Sequence, residues 1–204
     1  MVSTRTAQVR PAGLLLTFGA TAWAIGTLIV GDKIYEGIQT LDTVTGMLFV
    51  VGVFAWIVLV AQQRLAGDGV TRFLPYVLMA TLTGAFVLNA LSFGYKSHDD
   101  FPLWLAAIDA CWPLSQLLLL VLGVVMAVQG RLQGVLCWLP LLAGAWFPVT
   151  MAASILGGDT FSTIVSAAWL IGTFGVLGAL VAAQPHRLVS VGQFTADRRP
   201  SASR

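Results

Sequence analysis

Asp109 is the residue of this sequence with the most chemical leverage. It interrupts an apolar stretch, with Leu103-Trp104-Leu105-Ala106-Ala107-Ile108 before it and Ala110-Cys111-Trp112 after it. No other apolar run reads as holding a formal charge in its interior. A carboxylate inside hydrocarbon costs on the order of 2.5 kcal/mol or more, so it is expected to face other helices and to have a partner or a purpose. At 1.5 Å per helical residue it lies roughly 9 Å below the boundary of its run. Trp112 follows one turn later on the same face. Asn89 and Ser92 close the preceding apolar run at the same end. Trp23, Trp146 and Trp169 fall roughly 10–15 Å below the same boundary. The expected site is therefore Asp109, Trp112, Asn89, Trp23, Trp146 and Trp169. Three roles suit it: Asp109 hydrogen-bonding Asn89 as glue between helices, a ligand clamp of indoles and a carboxylate, or Asp109 as a catalytic acid.

The elements that must position these residues are long and apolar. Runs occur at about 13–30, 44–61, 73–91, 103–128, 132–156 and 162–183. Each reaches the roughly 17–25 residues that a helix needs to cross a bilayer. The apolar residues are continuous rather than alternating, which selects helices over a membrane β-barrel. The reading is an all-α bundle of six transmembrane helices, one domain over 1–187, with a short basic tail at 188–204. Arg5 and Arg10 precede a first run longer than a signal-peptide core, so that run reads as an uncleaved helix.

The basic residues set the expected orientation. Arg5, Arg10, Arg64, Arg72, Arg131, Arg187, Arg198, Arg199 and Arg204 fall on one side of the alternation, and only Lys33 and Lys96 on the other. Basic loops stay cytoplasmic, so both termini are expected inside a cell membrane. Asp32, Glu36, Asp42, Asp99, Asp100 and Asp159 fall on the outer side, where an acidic face attracts cations.

Composition narrows the classes. The chain is 57% hydrophobic and 10% charged, with a mean hydropathy of +0.86. A soluble domain carries about 25% charged residues, so lipid must be the solvent for much of this surface. The net charge of +2, without a basic stripe, argues against a nucleic-acid partner. Cys111 and Cys137 differ in depth by roughly 10 Å, too far for a disulfide. His98 beside Asp99 and Asp100 is a poor ligand set, since adjacent residues rarely converge on one metal. No phosphate loop, nucleophile elbow or metalloprotease helix is present, and no cofactor is expected.

The half of the bundle near Asp109 is the polar half, with Thr21, Thr27, Thr150, Ser154, Ser162, Thr163 and Ser166. The other half holds runs such as Leu117–Leu122 and Ile57–Val60. A pore needs polar residues along its whole length. The pattern therefore predicts a pocket open to the outside or to the outer leaflet. Pro113 and Pro148 are expected to kink their helices there. Ala20 and Ala24, and the set Ala168, Gly172, Gly175 and Ala179, are expected to be close-contact faces, within the chain or with a membrane partner.

In size, topology and the Ala20/Ala24 pair, the layout resembles the substrate-capturing subunits of vitamin importers, which work with an energising partner. That resemblance implies a small hydrophobic, aromatic or cationic ligand held by the tryptophans and Asp109. A second resemblance, in general logic, is to small integral-membrane terpene cyclases. It implies an enzyme acting on a lipid or isoprenoid with Asp109 as acid, although such enzymes use more than one intramembrane acid. A third possibility is an accessory subunit of a membrane complex.

Overall fold

A computed structural model describes residues 2–185 and 188, and among them every regular element is a helix. The expectation for the tail therefore lies outside the described residues, as do Arg187 and His186. The main helices are α1 (Val2–Val30), α2 (Thr40–Gln62), α3 (Leu74–Ser92), α4 (Leu103–Asp109), α5 (Cys111–Gln129), α6 (Val135–Gly144), α7 (Trp146–Leu170) and α8 (Val176–Ala183). Five stretches are long and apolar enough to cross a bilayer: Val9–Ile34, Thr40–Gln62, Val70–Ser92, Leu103–Gln129 and Trp146–Ala183. Val135–Gly144 is a shorter apolar helix. Their outer surfaces carry Leu14, Phe18, Ile25 and Ile29 in the open, as a surface solvated by lipid does.

The breaks in the long runs have identifiable causes. Pro113 and Pro148 are each the third residue of their helix, α5 and α7. A proline supplies no N–H to the carbonyl four residues earlier, here Asp109 and Gly144. The helices accordingly stop there and restart after Ala110 and Ala145. Within α7, Gly158 is non-helical, with φ 75° and ψ −170°. That conformation is open to glycine and costly for other residues. Trp146 Nε1–H donates to Ser166 Oγ at 2.9 Å, and the Ser162 hydroxyl donates to the Thr150 carbonyl at 3.1 Å. These bonds lay the segment after Gly158 back along the segment before it.

The connections sort into two ends. Asp32 accepts from the Thr160 hydroxyl at 3.0 Å, and Ile38 N–H donates to the Lys96 carbonyl at 3.0 Å. At the other end Arg131 donates to Asp68 at 2.7 Å and to the Arg64 carbonyl at 2.7 Å, while Arg64 approaches Asp68 at 3.4 Å. The bond from Arg131 holds the Asp68 carboxyl below its ordinary pKa, with Arg64 adding to the effect. Loops 31–39, 93–102 and 157–160 thus gather at one end, and loops 63–69 and 130–134 at the opposite one.

Glycines set the helix spacing. A Cβ on Gly52 would lie 2.6 Å from the Leu15 carbonyl oxygen, and one on Gly19 would lie 2.5 Å from that of Leu48, so α1 and α2 cross backbone to backbone. Gly123 and Gly144 do the same for α5 and α6. Close approach through small residues is the usual way helices gain contact when lipid removes the hydrophobic drive. Ala20 and Ala24 are fully buried on α1. The other expected set does not share one face within the chain: Gly175 is buried, whereas Ala168, Gly172 and Ala179 are exposed. The cause is a π-helical turn at Ile171–Gly175, which shifts the helical phase between them. The inward face runs from Phe174 within the turn to Leu177, Gly178 and Val181 beyond it. Thr17 of α1 donates to the Gly175 carbonyl at 3.1 Å, supplying a donor beside the turn.

Gly52→Leu should therefore lower the unfolding temperature in detergent by the equivalent of about 1–3 kcal/mol or more, because backbone atoms cannot give way. Gly172→Ala meets nothing within 4 Å and should leave stability unchanged or slightly raised. Equal losses in the two variants would contradict this packing.

Candidate functional site

At the end that gathers loops 31–39 and 93–102, six helices surround a cavity of about 250 Å³. α1 contributes Trp23, α2 Asp42 and Gly46, α3 Leu88, Asn89 and Ser92, and the α4–α5 junction Asp109, Trp112 and Gln116. Trp146 and Phe147 arrive from the first turn of α7, where the Ala145 break re-aims the chain. Ile38, Gln39, His98 and Phe101 close the loop side. Gly37 makes that closure possible, since a Cβ there would lie 2.6 Å from the Lys96 carbonyl oxygen.

Three indoles form one wall. Trp23 stands at the centre, 5.5 Å from Trp112 and 5.1 Å from Trp146 between ring centroids. Its other neighbour is Phe49 at 4.7 Å, which packs edge-on against Phe174 at 5.0 Å. An aromatic column thus runs from the cavity into the core, and the π-helical turn carries its last ring. Tilted and edge-on pairs at these separations suit the charge distribution of aromatic rings.

Each indole N–H has an assigned acceptor. Trp23 donates to Asp42 Oδ1 at 2.9 Å, Trp112 to Asn89 Oδ1 at 3.3 Å, and Trp146 to Ser166 Oγ at 2.9 Å. The donors are committed to the protein, so what half-buried Trp112 and Trp146 leave for a visitor is ring surface. Thr27 adds a longer hydrogen bond to Asp42 at 3.4 Å.

Five of the six residues expected from sequence meet in this cavity: Asp109, Trp112, Asn89, Trp23 and Trp146. Trp169 does not. Its N–H donates to the Leu142 carbonyl at 2.7 Å, beside the Ala145 break. Equal depth placed it in the band, but its helical phase turns it toward α6. The glue role expected for Asn89 also differs in detail, because its carboxamide oxygen takes the Trp112 N–H rather than a bond from Asp109.

Two residues escaped the sequence reading. Asp42 was expected on the acidic outer side, ahead of a run starting at about 44. The helix instead begins at Thr40 with Gln39 extended before it, which puts Asp42 in the first turn. An acid there complements the helix dipole, and that was the available signal. Asp109 is therefore not the only carboxylate within the helices. Gln116 is 2% exposed and, with Ser115, is polar in a helix otherwise apolar up to its terminal Gln129. Its sequence signal was an amide in the middle of a leucine-rich run.

Cys111 and Cys137 are free thiols. Among the described residues no three His, Cys, Asp or Glu side chains come together as a metal site. The chain matches no known family model, and neither characterised proteins nor solved structures match it.

Removing the indole donor should expose its structural share. Trp23→Phe leaves Asp42 with only the long bond from Thr27, and should cost about 1–3 kcal/mol in thermal unfolding. In an Asp42→Leu background, Trp23→Phe should cost much less. An unchanged cost there would separate the tryptophan's packing from its hydrogen bond.

Proposed function

We propose that this is a six-span protein of the cell membrane, both ends cytoplasmic, that binds a small hydrophobic, aromatic or cationic ligand in the indole-walled cavity as a capture or transport module. The count of six is supported by the fold-back at Gly158 and by the sorting of loops to alternate ends. The orientation rests on Arg64, Arg72 and Arg131 flanking the connections at the end opposite the cavity. The cavity then opens toward the outer surface.

One observation carries the functional reading: three indoles and two carboxylates, Asp42 and Asp109, line a single cavity. Indole faces attract flat rings and cations, by about 0.5–2 kcal/mol for a cation on a ring. The carboxylates add attraction for positive charge. Dense apolar packing by Leu119, Leu122 and Met126 lies beyond Gln116 along α5, so the cavity is a dead end rather than a conduit. Release toward the cytoplasm would require a rearrangement driven by a partner.

A second reading is favoured by Asp42. A cavity with two acids meets a need that Asp109 alone does not, and an enzyme isomerising or cyclising a lipid or isoprenoid could use Asp109 as the acid and the indole faces to stabilise a carbocation.

Both readings are tested by N-methylquinolinium, a flat aromatic cation, titrated against the full chain in nanodiscs with empty nanodiscs as the baseline. Trp112→Ala should weaken binding about tenfold or more, whereas Trp138→Ala, at an exposed position outside the cavity, should change it little. Binding indifferent to Trp112 would contradict the assignment. Asp109→Asn that retains binding but abolishes turnover of a lipid substrate would favour the enzyme.

A further inference from the structure

Within the cavity the hydrogen-bonding groups are not all matched. Neither Nε2 nor Oε1 of Gln116 has a partner in the protein, although the residue is 2% exposed. Asn89 Nδ2 is likewise buried and unpartnered, because its oxygen is held by the Trp112 indole. Both side chains line the cavity. A buried polar group without a partner costs about 1–3 kcal/mol, so three in one place are not there for stability. Turning the Gln116 amide over exchanges its ends and leaves the same edge of one donor and one acceptor.

This inventory discriminates between ligand classes, and the inference rests on the cavity being a ligand site. A hydrocarbon satisfies none of the three atoms. A cation without acceptors can use only the Gln116 oxygen and leaves both N–H₂ groups unmatched. A carboxylate could use the two donors, but it would enter a cavity lined by Asp42 and Asp109. A neutral group with an N–H beside a C=O satisfies all three: its N–H goes to Gln116 Oε1, and its carbonyl takes the two amide donors. The indole faces select a flat ring to carry that group. We infer that the cavity takes a planar lactam or ureide heterocycle, its N–H/C=O edge against Gln116 and Asn89 and its faces against the tryptophans.

The test compares 2-quinolone with N-methyl-2-quinolone by equilibrium dialysis against the full chain in nanodiscs. The two share a ring and a carbonyl and differ in the N–H. The wild-type protein should hold 2-quinolone about tenfold more tightly or better, the value of one buried hydrogen bond. Gln116→Met keeps the side-chain length and removes both polar ends. It should reduce the preference to under about threefold, and should raise the unfolding temperature of the ligand-free protein, since the unmatched groups are gone. A preference that survives in Gln116→Met is steric and overturns the inference. So does a fall in unfolding temperature, which would reveal a structural partner for the amide. Equal binding of both quinolones, with N-methylquinolinium also bound, overturns the inference and leaves the ligand-site reading standing. Binding of none of the three probes overturns both.

Discussion

A polar group within an apolar bundle must find its partner inside, because lipid offers none. Asp42 shows what that constraint organises. Its carboxylate, in the first turn of α2, takes the indole N–H of Trp23 from α1 at 2.9 Å. That bond fixes the ring of Trp23, and the ring then packs against Trp112, Trp146 and Phe49. The same logic satisfies Trp112 through Asn89 and Trp146 through Ser166. The wall of the cavity is thus a consequence of paired donors, with Trp23 buried among its neighbours and Trp112 and Trp146 half-exposed beside it.

The cavity exists because the helices around it are broken in the right places. Pro113 and Pro148 stop their helices at Asp109 and Gly144 and let the chain restart at a new angle. Those restarts bring Trp112 and Trp146 to the same space from different directions. Elsewhere the bundle is drawn tight by glycine, at Gly19 and Gly52 between α1 and α2 and at Gly123 and Gly144 between α5 and α6. Close crossings at depth and re-aimed helices near the loop end leave room for the indole-walled cavity at that end.

Much of this was legible in the sequence. Continuous apolar runs announced the helices, because hydropathy and backbone satisfaction leave a lipid-solvated chain no other choice. The run boundaries fell within a few residues of α3 and of the α4–α5 segment, but α2 begins earlier than its run, since a first-turn acid is tolerated by the helix dipole and invisible to hydropathy. Depth reasoning gathered Asp109, Trp112, Asn89, Trp23 and Trp146, all of which line one cavity. It also gathered Trp169, which does not, since depth carries no information about facing. Gly175 leaves the face shared by Ala168, Gly172 and Ala179 for a different reason: the π-helical turn changes the helical phase, and no composition rule marks where that happens.

The central claim is that the indole cluster faces an enclosed space open to water rather than lipid. A variant retaining Trp112 as its sole tryptophan, with the other six changed to phenylalanine and folding confirmed by circular dichroism, reads this directly in a bilayer. Its fluorescence should be quenched by aqueous acrylamide and spared by brominated lipid tails. Quenching by the lipid tails, with acrylamide ineffective, would place the ring on the outside of the bundle and contradict the account.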